Sequence, residues 1–200
     1  MTMTELKIQK LLRSLPWEEA EIRLEELGIN NHFETSSETG IEYLHLDYGI
    51  KGDKYDNIVK ECRGLVLEKD TWDIFRYGFF RFMNYGETGQ DKFGFDQPLR
   101  YEEKVDGSII ILSYASHEEG WVVGTRGRVF PDAKVGSTSI TFPEMFWSTF
   151  SPKGTYPADN KVLRLDKDIV YIFELCGWEN RIVVFYDRQV VLTGARRRSD

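Results

Sequence analysis

The sequence predicts an α+β fold built mostly of antiparallel β-sheet. Clear helical periodicity is limited to the front of the chain, and short β-branched and aromatic runs follow from Ile41 onward. Gly, Asp and Asn residues separate those runs, and no internal repeat or linker divides the chain. Helices and strands that are segregated in this way are typical of α+β proteins.

Two short helices are predicted within residues 1–40, which we interpret as a helical N-terminal subdomain. The first lies in TELKIQKLLR and the second in SLPWEEAEIRLEELG. In the second helix Pro16 stands near the start, acidic residues occupy the first turn, and Gly28 provides the stop.

Eight strands are predicted in residues 41–200, because β-branched and aromatic residues favour extended structure. They are IEYLHLDY, RGLVLE, WDIFRY, SIIILSYA, WVVGTRGRVF, IVYIFELCG, RIVVFY and QVVLTG. One further helix is predicted in TFPEMFWSTF, although its β-branched and aromatic residues favour helix only weakly.

Composition limits the kinds of protein that this chain can be. Its 200 residues are 41% hydrophobic, enough to bury a core, and its net charge of −7 argues against sequence-independent coating of nucleic acid. The sequence has neither an apolar run of membrane-spanning length nor a signal peptide at its start, so we expect a cytoplasmic protein. Cys62 and Cys176 are expected to pack as small apolar residues.

The stretch YEEKVDGSIII, residues 101–111, places Lys104 at the mouth of a predicted strand. In one interpretation Asp106 and Gly107 form a hairpin turn, since this pair readily adopts positive φ, and Lys104 is an exposed charge at a strand end. In the other interpretation Lys104 is a covalent nucleophile. A motif this short does not decide between the two.

A lysine that attacks phosphorus places requirements on the rest of its site. The amine must be neutral, whereas an ordinary lysine has a pKa of about 10.4, so burial or nearby positive charges are needed. The same positive charges would hold a triphosphate, and a carboxylate would fix a sugar hydroxyl. Residues of these types are Arg63 in KECRGLVLE, Arg81 in YGFFRFMNYGE, Arg126 in GTRGR and Glu174 in YIFELCGWENRIV.

Each of these residues also has an ordinary structural interpretation. Arg63 and Arg81 are compatible with surface or ion-pair roles, and Arg126 with a charge at a hairpin tip. Glu174 is compatible with the solvent side of an edge strand. Their occurrence together, in this order, favours the functional interpretation.

Together the motifs resemble the adenylyltransferase domain of ATP-dependent RNA ligases. That domain belongs to the covalent nucleotidyltransferase superfamily, which also contains DNA ligases and mRNA capping enzymes. EKVDGS resembles the first motif, with Lys104 as the residue that is adenylated, and YIFELCG resembles the third, with Glu174 as the ribose contact. ECRGLVLE, FFRFMNYGE and ENRIVVFY resemble the bacteriophage-type RNA ligase 1 family in particular.

The resemblance runs from about Tyr43 to the end of the chain and implies a complete set of functional expectations. The fold would be the largely antiparallel DNA ligase/mRNA capping enzyme nucleotidyltransferase type, which is ATP-grasp-like. ATP and Mg²⁺ would be the cofactors, with AMP attached covalently to Lys104 and with metal ligands that the motifs do not identify. The substrates would be RNA 5′-phosphate and 3′-hydroxyl ends, in RNA repair in the cytoplasm of a host cell if the protein is phage-encoded.

The resemblance also implies which residues bind the nucleotide. They are Arg63, Arg81, Arg126 and Glu174. Family relatives can carry lysine at the GTRG site, so Arg126 keeps the charge with a different geometry. Glu103 and Asp106 adjoin the first motif and are given no catalytic role.

The fourth and fifth family motifs, a Glu-Gly strand and a Lys-x-Lys strand, find no match before Asp200. We therefore expect residues 41–200 to be the front portion of the nucleotidyltransferase domain, completed by a C-terminal half in cis or as a separate chain. These residues alone are expected to be weakly active or inactive. Two alternatives remain at this point: a capping-type guanylyltransferase, and a non-catalytic nucleotide- or RNA-binding module.

Overall fold

The computed structural model describes residues 5–84, 86–87, 102–116, 119–150 and 164–198. The helices in these segments are α1 Lys7–Ser14, α2 Trp17–Glu26, α3 Asn57–Glu61 and α4 Phe142–Phe150. The strands are β1 Ile29–Thr35, β2 Glu42–Tyr48, β3 Arg63–Glu68, β4 Ile74–Arg76, β5 Ser108–Tyr114, β6 Trp121–Thr125, β7 Ile169–Cys176 and β8 Gln189–Arg197. A 3₁₀ turn, Trp178–Asn180, follows β7.

The first sheet has the strand order β1-β2-β3-β4, and each neighbouring pair is antiparallel. Successive side chains of a strand point to opposite faces, and β3 uses both of them. Leu65 and Leu67 join the apolar core that α1 and α2 cover. Val66 joins a different core, together with Val122 of β6 and Val129. The first sheet is therefore covered by helices on one face and by the second sheet on the other.

The second sheet has the order β6-β5-β7-β8 and is also antiparallel. Ile110 and Leu112 of β5 lie in one core with Phe173 of β7 and with Met145 and Trp147 of α4. The layers thus run from α1 and α2, through the two sheets, to α4.

Two charged side chains of the first sheet bind the segment that follows β6, and one of them also reaches the second sheet. Arg76 of β4 is fully buried and donates to Ser113 Oγ of β5 at 3.3 Å and to the Val129 carbonyl at 3.4 Å. Burial lowers the pKa of Arg76 to about 10. Glu34 of β1 accepts hydrogen bonds from the backbone N–H groups of Val129 at 3.0 Å and Phe130 at 2.9 Å. Both residues therefore fix the segment after β6 against the first sheet.

The predicted α+β class with antiparallel sheets is confirmed, as is the helix in TFPEMFWSTF. Seven of the eight predicted strands are present, as β2 to β8. The prediction of a strand in RIVVFY was wrong, because residues 182–184 form bends. There the N–H groups of Val183 and Val184 donate to the Asp106 carboxylate instead of to a neighbouring strand.

The N-terminal region differs from a purely helical unit. The two predicted helices are present as α1 and α2, but β1, which was not predicted, follows them and pairs with β2. Leu12 of α1 and Leu24 of α2 share one core with Leu65 of β3. The helices are thus a covering layer of the first sheet.

Two further expectations concern the cysteines and the membrane. Cys62 and Cys176 are free and buried, and burial raises the pKa of each thiol, that of Cys176 to about 11. The prediction that they pack as small apolar residues is confirmed.

Within the described segments, every helix is too short or too polar to cross a bilayer.

Candidate active site

A cavity of about 860 Å³ brings together three of the five predicted site residues. Arg63, Lys104 and Glu174 all line it, although they come from β3, the segment before β5, and β7. Phe82 and Tyr186 contribute aromatic rings to the same wall. A second cavity, of about 680 Å³ beside α2, is lined by none of the predicted residues.

Lys104 lies in an irregular segment, residues 102–107, that leads into β5. Its side chain is exposed. Burial, which would favour the neutral form of an amine, is therefore not provided by this segment. The carboxylates of Asp106 and Glu174 lie close enough to Lys104 to interact with its charge. Arg63 supplies a guanidinium in the same cavity.

Of the two interpretations of this stretch, the one in which Asp106 and Gly107 form a hairpin turn does not agree with the structure. The φ of Gly107 lies outside the left-handed region, and β5 pairs with β6 and β7 rather than with the preceding residues. The glycine is instead required by a close approach to β7. A Cβ on Gly107 would lie 2.8 Å from Cys176 Sγ and closer still to the Leu175 carbonyl oxygen.

Hydrogen bonds on two sides fix the segment that carries Lys104. The Gly107 N–H donates to Glu174 Oε1 at 2.9 Å. On the other side, Asp106 Oδ2 accepts from the N–H groups of Val183 at 2.7 Å and Val184 at 3.1 Å. These two N–H groups lower the pKa of Asp106.

Glu174 is half-buried in β7, opposite Ile109 of β5 and Val191 of β8. Burial raises the pKa of its carboxyl group, against the opposing effects of the Gly107 N–H bond and the Lys104 charge. A half-buried acid in an apolar strand is unfavourable without a hydrogen-bond partner, and the Gly107 N–H is such a partner. Since a carboxylate has about four lone-pair sites, this bond leaves capacity for a ligand hydroxyl.

Arg63 begins β3 directly after α3, whose N-terminus is capped by the Asp56 carboxylate. Its guanidinium lies 4.9 Å from the centroid of the Phe82 ring, a cation–π contact that also places Phe82 at the cavity. Gly64 has φ of +68°, and a Cβ there would lie 2.7 Å from the Arg126 carbonyl oxygen. The glycine after Arg63 is therefore needed both for its conformation and for this close approach.

Arg81 and Arg126 do not line the cavity and instead meet at the ring of Tyr48. Their guanidinium carbons lie 4.1 Å and 4.7 Å from its centroid. Arg126 also forms an ion pair with Asp47, with Nη2 to carboxylate distances of 3.0 Å and 2.9 Å. Because Asp47 pairs with Arg63 in the β2–β3 register, these arginines lie beside the cavity, on its Arg63 side.

Several residues of this site were not predicted as functional. Phe82 and Tyr186 lie within quoted motifs, so the motifs contained a signal for them. Asp47 and Tyr48 belong to a run that was predicted only as a strand.

The described segments contain no group of three or more His, Cys, Asp or Glu side chains that could hold a metal ion by themselves. Mg²⁺ commonly binds through one or two carboxylates and through the phosphates of a nucleotide. Glu102 and Glu103 are exposed carboxylates on the cavity wall, so the donor types present are compatible with that mode of binding.

Comparison with known proteins identifies the family. The sequence model of the RNA ligase family matches residues 61–199, a region that includes the residues of the cavity wall. The chain belongs to this family, and among its members to the bacteriophage-type RNA ligase 1 group.

Two similar proteins come from viruses. An RNA ligase of Rhodothermus phage RM378 is 29% identical over 177 residues, which cover 72% of this chain and 39% of the phage protein. A protein of Autographa californica nuclear polyhedrosis virus, provisionally named a bifunctional polynucleotide kinase/RNA ligase, is 29% identical over 163 residues. That match covers 76% of this chain and 23% of the viral protein. The chain thus spans well under half the length of either relative.

Proposed function

We propose that this chain carries the adenylyltransferase part of an ATP-dependent RNA ligase that joins RNA 5′-phosphate and 3′-hydroxyl ends. The observation that supports this most is the cavity in which Lys104, Glu174 and Arg63 converge from separate elements. Its volume of about 860 Å³ lies within the range of small-molecule sites. The two antiparallel sheets are compatible with the nucleotidyltransferase fold of DNA ligases and capping enzymes, which forms part of the proposal.

In the first step Lys104 is the nucleophile. Its Nζ, as a neutral amine, forms a bond to the α-phosphorus of ATP, while the bond to the oxygen bridging the α- and β-phosphates breaks. Pyrophosphate leaves and the amine proton passes to solvent, giving lysyl-AMP. In this proposal Arg63, which lines the same cavity, balances the charge that develops on the phosphate oxygens.

The remaining steps consume the lysyl-AMP. An oxygen of the RNA 5′-phosphate attacks the AMP phosphorus, the phosphorus–nitrogen bond breaks, and Lys104 is regenerated. A 3′-hydroxyl then attacks the 5′-phosphorus of the RNA-adenylate, AMP leaves, and a phosphodiester forms. RNA ends and ATP are the substrates of this proposal.

Glu174 and the arginines have supporting roles. The Glu174 carboxylate accepts a hydrogen bond from a ribose hydroxyl, while its bond from Gly107 ties it to the segment that carries Lys104. Arg81 and Arg126, which lie beyond Arg63, contact the outer phosphates. Mg²⁺, when bound, neutralises phosphate charge, and Glu102 and Glu103 are the candidate carboxylates for it.

The test is covalent labelling with ATP that carries the label on its α-phosphate, in the presence of Mg²⁺. The parent chain and Lys10→Ala, which removes an exposed lysine of α1, are expected to gain label slowly, as suits a chain expected to be only weakly active by itself, whereas Lys104→Ala is expected to gain none. Calorimetric titration of each variant with ATP gives a binding readout that does not depend on turnover. Label on Lys104→Ala at the parent level would exclude Lys104 as the nucleophile.

The same assay separates the capping-type alternative. Excess unlabelled ATP should suppress the labelling, whereas the same excess of GTP should not. Suppression by GTP and not by ATP would instead favour a guanylyltransferase.

A further inference from the structure

His45, in the middle of β2, is buried and binds the main chain of the second sheet. Its Nε2 lies 2.7 Å from the carbonyl oxygen of Arg126, the residue that follows β6. Because a carbonyl oxygen only accepts, Nε2 must carry the proton and donate it to this bond. Burial lowers the pKa of the imidazole, so the ring is held in its neutral form with the proton on Nε2.

The main chains of the two sheets also meet at this oxygen. Gly64 of β3 has φ of +68°, and a Cβ there would lie 2.7 Å from the Arg126 carbonyl oxygen. The glycine therefore permits the close approach, and the His45 hydrogen bond holds it. We call these three groups, the His45 imidazole, the Gly64 main chain and the Arg126 carbonyl, the inter-sheet contact. On the side of the first sheet it adjoins Arg63, the residue before Gly64, which lines the cavity.

On the side of the second sheet, the inter-sheet contact lies at the end that forms the cavity. Thr125 pairs with Ile110 of β5, so Arg126, the next residue, lies level with Ile109. Ile109 in turn pairs with Glu174 of β7, and both residues line the cavity. The inter-sheet contact thus connects the two walls of the cavity at the level of the site.

The separation of these walls matters because the site is divided between them. Arg63 belongs to the first sheet, whereas Lys104 leads into β5 and Glu174 lies in β7 of the second sheet. Attack on phosphorus needs all three in register with one nucleotide, and a displacement of about 1 Å can slow such a step about 100-fold.

Other bonds hold the same segment farther along the chain. Arg76 donates to the Arg128 and Val129 carbonyls, and Glu34 accepts from the N–H groups of Val129 and Phe130. Loss of the His45 bond should therefore shift the main chain near residue 126 without separating the sheets.

We propose that His45 is a positioning residue whose hydrogen bond to the Arg126 carbonyl fixes the separation of the cavity walls, and with it the position of Arg63 relative to Lys104 and Glu174. The inference rests on the proposed function, because it concerns how that site is assembled. It depends on the main chain of Arg126 and not on its guanidinium.

The experiment compares His45→Gln with His45→Met. Gln can present an amide donor near the position of Nε2, whereas Met has a similar length and no donor. The rate of labelling of Lys104 by ATP that carries the label on its α-phosphate is measured at saturating ATP, and the affinity for ATP by calorimetry. His45→Met should label about 10- to 100-fold more slowly than the parent. Its ATP affinity should change by a smaller factor, since each wall by itself still contacts the nucleotide. His45→Gln should regain most of the rate.

Gln9→Met is the matched control for stability. Gln9 of α1 is buried, and its Nε2 donates to the Trp72 carbonyl at 2.7 Å, the same distance as in the His45 bond, but on the helical side of the first sheet. This variant should unfold at a lower temperature than the parent and keep the parent's labelling rate. Amide hydrogen exchange in residues 121–130 should become faster in His45→Met and stay unchanged in Gln9→Met.

An ester in place of the amide between residues 126 and 127 provides a second test if His45→Met fails to fold. Glycolic acid in place of Gly127 keeps every side chain but makes the Arg126 carbonyl a weaker acceptor, because an ester lacks the amide resonance. The ester chain should label more slowly than the parent. Combined with a folded His45→Met it should cause little further loss, because both changes act on one bond.

Three results would overturn the inference. They are an ester chain that labels at the parent rate, a Gln9→Met variant that labels as slowly as His45→Met, and a His45→Gln variant that is folded but no faster than His45→Met.

These results are distinct from a failure of the proposed function. A parent chain that neither binds ATP nor labels Lys104 would refute the proposed site and, with it, the role of His45. A parent that labels Lys104, together with a folded His45→Met that labels at the same rate, would refute the role of His45 alone.

Discussion

Gly107→Ala tests whether the glycine of the Lys104 motif is required by packing rather than by turn geometry. The Cβ of alanine would lie 2.8 Å from Cys176 Sγ, 2.9 Å from the Leu175 carbonyl carbon, and closer still to its oxygen. Two of these atoms belong to the main chain of β7, where no side-chain rotation relieves the overlap. The Leu175 oxygen is also held by Asn180 Nδ2 at 2.6 Å.

The size of the effect follows from these contacts. Overpacking of an interior typically costs about 1–3 kcal/mol, and contact with fixed backbone places this site toward the upper end. For a chain of this length, each kcal/mol corresponds to about 2–4 °C in the midpoint of thermal unfolding. Taking the upper part of that range, about 2–3 kcal/mol, we expect Gly107→Ala to unfold about 4–12 °C below the parent.

Gly127→Ala is the matched control. The described residues place no atom within 4 Å of a Cβ at Gly127, and its φ lies outside the left-handed region. Alanine there restricts the unfolded chain without strain in the folded one, so stability should rise by about 0.4–1 kcal/mol. Thermal and urea unfolding followed by circular dichroism measure both variants. If Gly107→Ala unfolds at the same temperature as Gly127→Ala, or above it, the close approach to β7 is not a constraint.

Three further predictions concern charged groups that are buried or half-buried. Glu61→Ala removes the carboxylate that accepts hydrogen bonds from the first N–H groups of α1. We expect the free energy of unfolding to fall by about 1–2 kcal/mol and amide hydrogen exchange within Lys7–Ser14 to become faster. Unchanged exchange would contradict this. Arg76→Leu leaves the Ser113 hydroxyl and two carbonyls between the sheets without their donor. Urea unfolding should show that the free energy of unfolding falls by about 2–4 kcal/mol. An unchanged free energy of unfolding would mean that these groups find other donors. The pKa of Glu34 is lowered because the N–H groups of Phe130 and Val129 outweigh burial, so its stabilisation is present above the ordinary value of 4.5 and is lost as pH falls through the folded-state pKa. The stability difference between the parent and Glu34→Gln should therefore shrink on acidification, and a difference that grows would refute the assignment.

Local sequence determined most of the secondary structure. β2 to β8 and α4 follow from residue type and period, since β-branched residues suit a half-buried strand and the apolar residues of TFPEMFWSTF face one core. β1, with its polar sequence INNHFET, carries no such pattern and forms because it pairs with β2. RIVVFY shows the converse: a favourable composition does not make a strand when its N–H groups bind a carboxylate from elsewhere in the chain.

For the site, the sequence identified the residue types and the tertiary structure decided their arrangement. Spacing and motif order selected Lys104, Arg63 and Glu174 before any geometry, because a phosphorus-attacking amine needs positive charge and a carboxylate nearby. Only the folded chain shows that these three share a cavity, whereas Arg126 is tied to Asp47, 79 residues away in the sequence. Contacts over such separations depend on how strands pair and sheets stack, and no local pattern encodes them.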